Sequence, residues 1–127
     1  VDPSAPIRLL LVEDDADNRE LLAELLSLDF EVETACDGQE ALERFLRGSL
    51  DVIITDETLP RLRGTQLARA VKERSPHVGV VLVSGYGRVP GAEMCDAVLG
   101  KPVDVDVLTR TVRSLARPLG ADSALAP

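Results

Sequence analysis

Five times along this chain a short apolar run comes up, at residues 7–12, 30–35, 52–56, 78–83 and 97–99, and all but one of the gaps between and after them show helical spacing. That alternation restricts the fold more than any single motif does. The runs at 7–12, 52–56 and 78–83 are almost continuous in Val, Ile and Leu, as strands buried on both faces are. Residues 30–35 instead alternate apolar and polar, which suits a strand with one less buried face. The first helical stripe is Leu21, Leu22, Leu25, Leu26 and Leu28, and the second is Ala41, Leu42, Phe45 and Leu46, opened by Asp37-Gly38 and closed by Gly48. Residues 64–74 carry Leu67, Ala68 and Val71 and stop at Ser75-Pro76. The last helix is capped by Asp104, presents Val105, Leu108, Val112 and Leu115, and ends at Pro118. Between residues 84 and 97 no stripe exists, because Gly87, Pro90 and Gly91 leave space for about one turn of helix.

Strand and helix in alternation, joined by short loops and right-handed crossovers, predict an α/β fold: a doubly wound, five-stranded parallel sheet. The flavodoxin-like order 2-1-3-4-5 is preferred, with the helix between the fourth and fifth strands, helix 4, short or missing. At 127 residues and 45% hydrophobic content there is space for one domain, placed at residues 7–117. Residues 1–6 and 118–127, rich in Pro, Ala, Ser and Asp, are expected to be an N-terminal tail and a C-terminal tail or linker. The net charge of −8 argues against direct nucleic-acid binding, which needs clustered cations. Arg61, Arg63, Arg69, Lys72 and Arg74 form the densest basic stretch, spaced as the solvated face of a helix. Cys36 and Cys95 have no CxxC partner or nearby ligand, so two reduced and mostly buried thiols in a cytoplasmic protein are expected. No apolar run approaches the roughly 18 residues of a membrane helix, and residues 1–6 do not resemble a signal peptide.

In the 2-1-3-4-5 order, strands 1, 3, 4 and 5 are neighbours and their carboxyl ends carry Glu13/Asp14, Asp56, Ser84 and Lys101. An isolated Asp at a strand end is more often a helix cap, so the case for chemistry at Asp56 rests on its company. Three carboxylates on one rim repel and raise one another's pKa unless a cation intervenes. All-oxygen ligands select a hard ion, and few protein carboxylates with space for water favour Mg²⁺ over Ca²⁺. A bare metal site has no use for Lys101 or Ser84. A site receiving a phosphoryl group does, because phosphate oxygens take several counter-charges at once. Asp56 is then a candidate nucleophile, its attack on phosphorus giving an aspartyl phosphate.

The motifs together are LLLVEDD at residues 9–15 with Arg19 downstream, D-x-x-L-P-x-x-x-G from Asp56 to Gly64, Ser84 after strand 4, and the Lys101-Pro102 pair. In this order, each at a strand end, they closely resemble the receiver domains of response regulators in bacterial two-component signalling, over residues 7–117. The resemblance implies that Asp56 is the phosphoacceptor, Asp14 a direct Mg²⁺ ligand, Glu13 a ligand through water, and the Thr58 backbone carbonyl a further ligand. It also implies that Ser84 follows the phosphoryl group and Lys101 pairs with it. The implied donor is a phosphohistidine on a sensor histidine kinase or histidine phosphotransfer protein. The implied activity is that of a slowly autodephosphorylating switch rather than a conventional enzyme, with covalent fusion to a kinase or effector possible in a longer protein. Three successive acids offer either Glu13/Asp14 or Asp14/Asp15 as the metal pair. The spacing to Arg19 matches the family for the first, which leaves Asp15 to start a helix.

The chain also departs from the family. Val98 stands where receivers commonly carry Tyr or Phe, and it has no ring to swing inward. The segment from Ser84 to Lys101 is shorter than usual. Tyr86, two residues past Ser84, is expected at the mouth of the site, where its ring would shield an acyl phosphate from water. Two other readings compete. A phosphatase of the haloacid-dehalogenase type also uses an aspartate nucleophile, Mg²⁺ and a lysine, but needs an acid where this chain has Thr58. A nucleotide-binding module would need a Gly-rich loop after strand 1, where acids stand instead.

Overall fold

The computed structural model describes residues 5–85 and 87–116; the expectations for Tyr86, for residues 1–4 of the N-terminal tail, for the domain end at residue 117 and for the whole C-terminal tail lie outside them. Strands β1 (Arg8–Val12), β2 (Glu31–Ala35), β3 (Val52–Asp56), β4 (Gly79–Ser84) and β5 (Ala97–Gly100) form one sheet in the order β2-β1-β3-β4-β5. Every pairing is parallel. All five residues of β3 and all six of β4 are buried, as their apolar runs require. The edge strand β2 is only partly buried, in keeping with its alternating sequence.

Because side chains alternate across a strand, Leu9, Leu11 and Ile54 point to one face and Leu10, Val12 and Ile53 to the other. Helices α1 (Ala16–Leu26) and α4 (Val105–Ala116) cover the first face, where Leu26, Leu108 and Val112 are buried. Helices α2 (Gly38–Leu46) and α3 (Gly64–Arg74) cover the second with Ala41, Phe45, Leu67, Ala68 and Val71. Carboxylates start three of these helices. Asp15 accepts from the Asn18 amide at 3.0 Å, Asp37 from Glu40 at 2.7 Å, and Asp104 from Asp106 at 2.8 Å.

The first stripe is only partly an inward face. Leu22, Ala23 and Leu26 meet the sheet, whereas Leu21 and Leu25 are exposed and Leu28 lies beyond the helix end at 81% exposure. Leucines at both i and i+1 of successive turns wrap a wider arc than one sheet can cover, so half of them face outward. Leu46 is likewise exposed, as is Cys36, while Cys95 is half-buried; the two thiols are therefore not the buried pair expected from sequence. Burial, followed by the nearby Asp96 and Glu57 charges, pushes the Cys95 thiol up to about 11. A raised thiol pKa keeps the unreactive protonated form, so at pH 8 about one Cys95 in a thousand is thiolate. Iodoacetamide at pH 8 is expected to modify Cys36 well before Cys95, with Cys95 labelling rising steeply towards pH 11 by intact mass.

Helix 4 is short, not missing: the crossover from β4 to β5 holds a single 3-10 turn, Ala92–Met94. It is held by electrostatics where a longer helix would use packing. The half-buried Lys72 ammonium of α3 donates to the Val78 carbonyl at 2.7 Å and pairs with Asp96 at 2.6 Å. Asp96 in turn accepts from the Val80 amide at 2.8 Å, and its own amide donates to the Val80 carbonyl. Lys72→Met takes the cation from Asp96, which keeps only its bond from the Val80 amide, and the donor from the Val78 carbonyl, a change that typically costs about 1–3 kcal/mol. Urea denaturation is expected to show a lowered midpoint with an unchanged slope.

Candidate functional site

The strand register sets the rim. Asp56 ends β3 opposite Val83, Ser84 ends β4 opposite Gly100, and Lys101 follows β5. Glu13 follows β1, held by its amide to the Ala35 carbonyl at 3.1 Å and by an Arg19 guanidinium on its own carbonyl at 2.9 Å. Carboxylate oxygens of Glu13, Asp14 and Asp56 lie within 4.8 Å of one another. Glu13 and Asp56 are buried and Asp14 is exposed, so the cluster is closed below and open to solvent above. Asp15 is occupied with its N-cap, which separates it from the other two acids.

Lys101 donates to Asp56 Oδ2 at 2.7 Å. That hydrogen bond holds the lysine above its ordinary value of 10.5, against the opposing effect of burial. Burial is also the main reason that Glu13 sits above the usual carboxylate range; a hydrogen bond from the Asp15 amide opposes it, and the Asp14 and Asp56 carboxylates add to it. Ser84 is buried at the end of β4, and its carbonyl accepts from the Lys101 amide at 3.0 Å, so hydroxyl and ammonium are carried by adjoining backbone. The Lys101-Pro102 peptide is cis. Thr58 is exposed on the loop after β3. Val98 is 44% exposed on β5, where Ala97 and Leu99 alone turn inward.

One residue of the site has no local signal in sequence. The Glu57 carboxylate accepts from the Thr65 amide at 2.8 Å and from its hydroxyl at 3.1 Å. The Glu57 amide and carbonyl bond Val83 and Gly64. The loop carrying Thr58 is thus tied to β4 and to the first turn of α3. The tie spans eight residues from the end of β3 across a loop to α3, and no single helix or strand holds both ends, so only the fold brings them together.

Residues 9–113 match the family model for the response regulator receiver domain. The chain belongs to that family. Among curated proteins it is 31% identical over 117 residues to the sensor histidine kinase RcsC of Salmonella typhimurium, covering 87% of this chain but 12% of that protein. It is 35% identical over 116 residues to a CpxR homolog, a transcriptional regulatory protein of Haemophilus influenzae, covering 87% of this chain and 50% of that one. The chain therefore spans half or less of these relatives. Among solved structures, a receiver domain protein from Clostridium thermocellum is 28% identical with a TM-score of 0.83, over 94% of this chain and 98% of that one. The response regulator TrrA of Thermotoga maritima, solved in complex with Mg(2+)-BeF, is 29% identical with a TM-score of 0.79, over 86% and 98%. Similar receiver domains thus occur within both sensor kinases and response regulators. No helix among the described residues is long and apolar enough to cross a membrane.

Gly64 shows how tightly the receiver site is built. A Cβ on it would run into the Asp56 carbonyl and lie 2.8 Å from Leu82 Cδ1, and neither strand backbone nor core leucine has freedom to yield. Gly64→Ala is expected to lower stability by about 1–3 kcal/mol, as overpacking does, and to shift the amide resonances of Glu57 and Thr65 in heteronuclear NMR spectra.

Proposed function

We propose that this domain accepts a phosphoryl group on Asp56 from a phosphohistidine of a sensor histidine kinase or histidine phosphotransfer protein, with Mg²⁺ as cofactor. The observation that carries the reading is the Lys101 ammonium 2.7 Å from Asp56 Oδ2, beside three carboxylates within 4.8 Å of one another. A structural ion pair would have one anion and one cation; this rim has anions in excess, at the open end of the sheet.

The donor set fits the metal. Three carboxylates offer hard oxygen ligands on an open rim, which suits an ion that keeps several waters. Glu13, Asp14, Asp56 and the Thr58 carbonyl would hold it, and when bound it would neutralise charge on the phosphoryl oxygens. The chain's own residues do the rest. The buried Asp56 carboxylate attacks phosphorus, an O–P bond forms as the P–N bond breaks, and the electron pair leaves with the imidazole nitrogen. Lys101 exchanges its hydrogen bond to Asp56 for one to a phosphoryl oxygen, and Ser84 supplies a hydroxyl to another. Water attack on the aspartyl phosphate later regenerates the carboxylate, so the domain acts as a slowly resetting switch. In the haloacid-dehalogenase reading an acid should stand at Thr58, and none does.

Incubation with Mg²⁺ and acetyl phosphate, followed by intact-mass measurement, tests this. Wild type is expected to gain one phosphoryl adduct that Asp56→Asn and a metal-chelated sample do not. Lys101→Met is expected to keep Mg²⁺ binding while losing adduct by tenfold or more, about what removal of one charge-stabilising donor costs. Equal adduct on wild type and Asp56→Asn would reject the reading.

A further inference from the structure

A groove of about 470 Å³ lies between α3 and the 3-10 turn of the β4–β5 crossover, walled by Arg63, Thr65, Arg69, Pro90, Glu93 and Met94. Its charge is opposite in sign to the chain's. Of the five basic residues between positions 61 and 74, Arg63 and Arg69 line it, against a single acid, Glu93, in a protein of net charge −8. Two of the five are already engaged, Lys72 with Asp96 and Arg61 with Asp37. Arg63 and Arg69 form no ion pair with any described residue, and neither does Glu93 across from them. The floor and far wall are apolar in part, with Met94 38% exposed. Two unpaired guanidinium forks over an apolar strip match carboxylates flanking an apolar side chain.

We propose that this groove docks an acidic amphipathic segment of a partner protein, its carboxylates on Arg63 and Arg69 and its apolar side chain against Met94 and Pro90. A nucleic acid fits less well. Its unbroken phosphate line would meet Glu93 and the acidic remainder of the chain, whereas a peptide presents two charges and stops. The site adjoins the rim through Thr65, which lines the groove and also holds Glu57, the neighbour of Asp56. Docking itself does not depend on the phosphoacceptor reading.

A fluorescein-labelled peptide of Glu and Leu in helical amphipathic order is the probe, with its Lys-for-Glu counterpart as control. Anisotropy is expected to show saturable binding of the first only, weakening as salt is raised. Amide shifts are expected at Thr65, Gln66, Arg69, Gly91 and Met94. Arg63→Glu with Arg69→Glu is expected to weaken binding at least about tenfold, and Arg69→Ala to weaken it less. Both side chains are exposed and unpaired, so the thermal midpoint should not move. The proposal is overturned if the Glu peptide does not bind, if the Lys peptide binds as well, or if the shifts map elsewhere. It is also overturned if the charge-reversal variant binds normally, or if an oligothymidylate displaces the peptide from these residues.

Discussion

Burial of β3 on both faces is the constraint on which the remaining structure depends. Val52, Ile53 and Ile54 are buried between two layers of helices, and a parallel strand in that position needs cover on each side. Helical crossovers provide that cover, and they in turn force all strands to end on the same rim. Asp56 is therefore placed at the boundary between a dry interior and water. A carboxylate there is costly to desolvate, and Lys101 at 2.7 Å offsets much of that cost while leaving Asp14 open to solvent. The same burial that stabilises the fold thus prepares an anionic rim whose charge a cation would neutralise.

Helix 4 is reduced to the Ala92–Met94 turn. Met94 in that turn and Val98 on the edge strand β5 are exposed. The Lys72–Asp96 pair, with hydrogen bonds to the Val78 and Val80 backbone, fastens β4 and the start of β5 to α3. An ion pair tied into backbone hydrogen bonds occupies far less volume than a helix. The groove beside α3 lies against that turn, through Glu93 and Met94.

Much of this was legible in sequence because it depends on local rules. Strand positions followed from β-branched runs, helix starts from Asp37 and Asp104, and the acidic rim from residues that each end a strand. The short crossover followed from Pro90 and the glycines around it. Other features depended on which face an element turns inward. Sequence periodicity shows that the first helix carries leucines but does not rank them, and Leu21 and Leu25 of that stripe face water. Cys36 is exposed for the same reason that Leu21 is, since hydrophobic character alone does not say whether a residue finds a neighbour.

The sequence by itself determined the element order, the parallel sheet and the chemistry of the residues delivered to its rim, because strand burial and helix capping act over a few residues. Only the tertiary structure decided which of those groups touch. The Glu57–Thr65 tie, the close approach of Gly64 to the Asp56 carbonyl, the Lys72–Asp96 strut and the meeting of Arg63 and Arg69 with Met94 in one groove all join residues of different elements. Such contacts are set by how helices of given length sit on a twisted sheet, a property of packing that no local pattern encodes.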